Sequence, residues 1–127
     1  MNDVSLWLGC FRDLETLERY TEVKYNEDGD SIPSLFEKDF TLGYYDRDLT
    51  EKDWIPEKEN DIEKLLVDFS YDEQLIKQFK EIKLVSKYNT IILIYNYKYD
   101  KEDKIIYTID KNCYKLDYIG TAKYIDE

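Results

Sequence analysis

A chain of 127 residues with 43% hydrophobic and 16% aromatic side chains can bury a core, which excludes disorder even though 37% of its residues are charged. Histidine is absent and the formal net charge is −11. The first fact removes the commonest general base, the Ser-His and Cys-His nucleophile systems and the commonest metal ligand; the second disfavours nucleic acid and anionic membrane as partners.

The first element is a strand in VSLWLGC, residues 4–10, with Val4, Leu6 and Leu8 on one face, Trp7 on the other and a stop at or soon after Gly9. Its leading residues carry Asp3 and no basic cluster, so no secretory signal is expected, and cytoplasmic residence is the expectation. Asp13 caps an amphipathic helix to about Val23, with Leu14, Leu17, Tyr20 and Val23 as its apolar stripe. Ser34 and Glu37 form a capping box that introduces a short helix carrying Leu35, Phe36 and Phe40. Residues 43–56, GYYDRDLTEKDWIP, read as an irregular or edge strand ended by Pro56.

Asn60 or Asp61 starts a helix to about Phe69 that buries Ile62, Leu65 and Leu66. Ser70 with Glu73 opens a longer one burying Leu75, Ile76, Phe79, Ile82 and Val85. The last third is β: TIILIYNYKY (90–99), a polar turn DKED (100–103), KIIYTID, a break at Lys111 and Asn112, then CYKLDYIGTAKY, three strands in meander order. The fold class is α+β: an antiparallel-dominated sheet, built of this C-terminal meander plus the N-terminal strand, with three to four helices on one face, in a single domain over residues 1–127. The longest strongly apolar run, residues 91–95, is far below the ~20 residues that span a membrane. Cys10 and Cys113 lack metal spacing and read as small buried hydrophobes.

Three constellations are candidate sites. Asn26, Asp28 and Asp30 with Glu37 match the oxygen-ligand spacing of a calcium loop, but the required glycine position is Ser31, Gly29 falls two places early and Pro33 interrupts the backbone. The alternative is a solvated turn, EDGDS, followed by a capped helix. The second constellation interleaves Asp46, Asp48, Glu51 and Asp53 with Tyr44, Tyr45 and Trp54. Rigid aromatics and carboxylates suit a face that binds Lys and Arg of a basic protein, and the competing reading is core aromatics beside a solvated acidic face. The charge distribution favours binding: residues 22–63 hold 14 acids and five bases, against 15 acids and 13 bases elsewhere. The third is a tyrosine stripe, Tyr95, Tyr97 and Tyr99, joined by Tyr107, Tyr114 and Tyr118, read as cross-strand packing more readily than as a recognition platform. No cofactor is expected, and paired carboxylates in so acidic a chain arise by chance.

VSLWLGCF, PSLFEKDFTLGYYDRDLTE, the FSYDE helix start and IILIYNYKYD, in this order, resemble the immunity protein 22 family, the matching positions being Trp7, Gly9, Phe36, Asp39, Tyr45, Asp46 and Glu51. The resemblance implies a bacterial antidote of a polymorphic toxin system, encoded beside a secreted toxin and binding it, and not an enzyme. On that reading Asp39, Asp46, Asp48, Glu51 and Asp53 meet Lys and Arg of a basic toxin domain, a nuclease being the expected kind, and Tyr44, Tyr45 and Trp54 anchor the contact.

Overall fold

The computed structural model describes residues 1–101 and 104–126, and its centre is the strand whose two faces are both apolar. Strand β1 (Asn2–Phe11) sends Val4, Leu6 and Leu8 to one side and Trp7 and Phe11 to the other, the period-two alternation of a strand. A hairpin of two short strands, β2 (Lys24–Tyr25) and β3 (Ser31–Ile32), stands apart from the main sheet. The other four strands are β4 (Thr50–Glu59), β5 (Tyr88–Tyr95), β6 (Thr108–Asp110) and β7 (Tyr114–Tyr124). With β1 they form a sheet in the order β4-β5-β1-β7-β6, every neighbouring pair antiparallel. This is an α+β fold.

The C-terminal strands are therefore not a simple meander: β1 is inserted between β5 and β7. The physical reason lies in burial. A strand apolar on both faces needs neighbours on both edges and cover above and below, and β1 and β5 alone have such sequences. Gly9 permits the close approach to β7, because a Cβ there would lie 2.3 Å from the Lys115 carbonyl oxygen and 2.6 Å from Leu116 Cδ1.

Helices cover both faces of the sheet, not one. Helix α1 (Leu14–Thr21) and helix α2 (Leu35–Asp39) bury Leu17, Tyr20 and Phe36 against Trp7, Phe11, Ile92 and Ile94. Helix α3 (Ile62–Leu66) and helix α4 (Asp72–Phe79) bury Ile62, Leu65, Leu66, Leu75 and Phe79 against Val4, Leu6, Leu8, Ile91 and Leu93. The alternation of β1 and β5 between two apolar sets demands this double cover.

Both caps predicted for the first two helices form: Asp13 accepts from the Thr16 N–H, and Ser34 and Glu37 complete a capping box. Leu14 and Leu35 are exposed, so each helix buries a narrower stripe than its spacing suggested. Helix α3 starts at the Asp61 cap but stops at Leu66, because Asp68 takes φ +75°. Ser70 does not cap α4, which begins after Tyr71 at φ +60°; the Ser70 hydroxyl is donated to Glu51 instead. Helix α4 ends at Phe79, which leaves Ile82 and Val85 outside the buried stripe, Val85 at 97% exposed. Strand β4 runs through Pro56, where its pairing with β5 lapses between Trp54 and Glu59. Of KIIYTID only Thr108–Asp110 is strand. Of the predicted DKED turn, Asp100 and Lys101 close a short 3-10 turn, while residues 102 and 103 lie outside the described residues. No described helix is long and apolar enough to cross a membrane.

Candidate functional site

The acidic segment that spacing singled out is divided by the fold into parts with different work. At its start, Asn26 Oδ1 accepts from the N–H groups of Asp28 and Asp30 at 2.9 and 3.0 Å, an Asx arrangement that closes the β2–β3 turn. Gly29 sits in that turn at φ +84°. Glu37, the fourth residue of the calcium spacing, is elsewhere engaged: it is 8% exposed and accepts from the Ser34 N–H at 2.8 Å, the Tyr45 hydroxyl at 2.7 Å and Arg47 Nε at 2.9 Å. Burial pushes its carboxyl up, but the bonds from Arg47, Tyr45 and Ser34 outweigh burial and hold it below the ordinary glutamate range. Among the described residues no group of three or more His, Cys, Asp or Glu is placed to hold a metal ion.

Asp39 ends α2 and receives two phenols, from Tyr20 at 3.0 Å and Tyr114 at 2.8 Å, tying α1, α2 and β7 together. Burial first, and then Asp39, hold both phenols far above their ordinary range. Tyr45 is half-buried, its ring 5.7 Å from that of Tyr97. Trp54 is half-buried too and donates Nε1–H to the Phe11 carbonyl at 2.9 Å. These three side chains serve the core on the α1/α2 face. Tyr44, by contrast, is 95% exposed. Asp46 accepts from the Asp48 N–H at 2.9 Å and so caps a 3-10 turn, Arg47–Leu49, that delivers the chain into β4.

Asp48 and Glu51 come together on the other side, in a cleft of about 350 Å³ at the end of the sheet where β1 starts. Its walls include Tyr71, Tyr95 and Tyr124, with Asp126 as a third carboxylate, and among the described residues no Lys or Arg lines it. The Tyr95 and Tyr124 rings meet edge to face at 5.4 Å, and those of Tyr71 and Tyr124 lie 4.9 Å apart. The single Tyr95 hydroxyl proton is shared between the Ser70 carbonyl at 2.7 Å and Glu51 at 3.0 Å; Tyr71 donates to Asp126 at 2.5 Å. Asp53 lies outside this cleft, exposed on β4 beside Asp68 of the α3–α4 connection. Chemically, the cleft offers carboxylates and ring edges to a cation, and the strip from Tyr44 to Asp53 adds the exposed Asp46 and Asp53 together with Arg47 and Lys52.

Tyr71, Tyr124, Ser70 and Asp126 escaped the sequence reading, since they join the site only through the docking of α4 and β7. Tyr95 was visible but assigned to a shared stripe with Tyr97 and Tyr99. Asn96 at φ +56° ends β5 and turns the chain, so Tyr95 packs on the α3/α4 face while Tyr97 and Tyr99 pack on the other. Tyr99 does meet Tyr118, at 4.8 Å, as buried packing.

The family model described as Immunity protein 22 matches residues 4–125. The chain belongs to the Immunity protein 22 family. A toxin-immunity role comes with that membership, and with it the binding of a cognate toxin. No curated protein and no solved structure matches the chain.

Proposed function

We propose that this chain is a cytoplasmic antidote of a polymorphic toxin system, which neutralises its cognate toxin by laying an acidic surface over a basic active-site cleft, that of a nuclease by preference. The observation that carries the reading is family membership over residues 4–125 in a chain whose charge surplus gathers in residues 22–63. Tyr44, Asp46, Asp48, Glu51 and Asp53 form the contact strip, and Asp39, Tyr45 and Trp54 hold the strip in place from beneath. Carboxylates presented on a sheet edge and its preceding turn are steered to Lys and Arg of the toxin and hold them by charge-assisted bonds. Tyr44 supplies an exposed ring that loses little entropy on binding.

Co-expression with the toxin domain encoded beside it tests the reading. Growth is restored by the wild-type chain, and a purified pair co-elutes as one complex; toxicity undiminished by the chain, with no complex, rejects it.

A further inference from the structure

At the end of the sheet opposite the acidic cleft lies a cleft of contrary charge. Its volume is about 510 Å³, and among the described residues it is lined by Arg12, Lys58, Lys111 and Lys115 against one acid, Asp110. It opens where β4 parts from β5 at Pro56, and its floor is fixed. Asn89, buried in β5, accepts from the Phe11 N–H at 2.9 Å and donates to the Phe11 carbonyl at 2.9 Å, and Trp54 Nε1 donates to the same carbonyl. The half-buried rings of Trp54 and Tyr114 form part of the wall.

In a chain with 29 acids and 18 bases, lysines find carboxylates easily. Arg12 pairs with Asp13 at 3.4 Å and Lys115 loosely with Asp117 at 3.9 Å, but Lys58 and Lys111 form no ion pair among the described residues. We infer that this cleft is a second interaction surface, which takes an acidic peptide segment of a partner protein. A carboxylate-rich segment matches the cations, and the apolar rings accept its methylene stems. A nucleic acid does not match: a long polyanion meets the repulsion of the whole acidic chain, whereas a short peptide within roughly 8 Å of the cleft feels chiefly its local charge. The inference goes beyond the toxin reading and does not depend on it.

The test is fluorescence anisotropy of a dye-labelled hexaglutamate peptide with the whole chain, without toxin, at low and high salt. Binding is expected at low salt, weakened by added salt, and weakened about tenfold in Lys58→Glu/Lys111→Glu, whose two positions are exposed and outside the core. Retained thermal unfolding of that variant shows that the loss is local. No binding, equal binding by the variant, or binding of a labelled oligonucleotide in place of the peptide overturns the inference.

Discussion

Glu51 takes both donors of Ser70, the backbone N–H at 3.0 Å and the hydroxyl at 2.5 Å, and so fastens strand β4 to the α3–α4 connection. The sheet edge and the helical layer meet at this carboxylate, with the Tyr95 hydroxyl as its third donor. Replacing Glu51 by Ala removes the acceptor for both Ser70 donors and leaves Tyr95 only the Ser70 carbonyl. The expected loss is about 1–2 kcal/mol of stability, read from the urea midpoint, with faster amide exchange around residues 67–71. Glu51→Gln keeps one acceptor oxygen and loses less.

The Glu37–Arg47 pair makes stability depend on acid pH. The folded-state pKa of Glu37 is lowered, so its contribution is present above the ordinary glutamate pKa of about 4.3 and is lost as pH falls through the lower folded value. Glu37→Gln therefore costs roughly 2 kcal/mol at neutral pH, and its deficit against wild type shrinks as pH drops below about 4. Paired unfolding curves across this range measure the convergence.

The tyrosines give the opposite sign. Tyr20, Tyr45, Tyr88, Tyr95 and Tyr114 are raised by burial and then by the carboxylate each one faces. Their contribution is whole below the unfolded phenol pKa of about 10 and is lost as pH rises beyond it. Tyrosinate absorbance of this buried set is expected to rise only at pH well above 10, together with loss of the fold.

Gly9→Ala places a methyl group against backbone that cannot yield, 2.3 Å from the Lys115 carbonyl oxygen. A loss of about 3 kcal/mol in chemical denaturation is expected, since relief requires β1 and β7 to separate. Gly29→Ala meets nothing within 4 Å and suffers only from its left-handed backbone, so its loss is nearer 1 kcal/mol.

Local signals were legible in the sequence and distant ones were not. Asp13, Ser34 with Glu37, and Asp61 announced helix starts because a cap is settled within four residues. Trp7 opposite Val4, Leu6 and Leu8 carried the signal for cover on both faces of β1, but the expectation placed the helices on one face; the insertion of β1 between β5 and β7 depends on pairing across the whole chain. Ser70 had the spacing of a cap, and a carboxylate 19 residues away claimed its hydroxyl. Asp39 and Trp54 sat in an acidic, aromatic segment that reads as surface; their partners, Tyr20, Tyr114 and Phe11, come from other elements. Asp48 and Glu51 share a cleft whose tyrosines could be placed only through the docking of α4 and β7.

Titration calorimetry of the chain against the toxin domain encoded beside it, in wild type and in Tyr44→Ala/Asp48→Lys/Asp53→Lys, tests the central claim. All three positions are exposed. The account predicts a tight wild-type complex weakened about a hundredfold or more by the triple change, with the melting temperature kept and most of the loss in association rate at low salt. Equal affinity of the two chains for the toxin would contradict it.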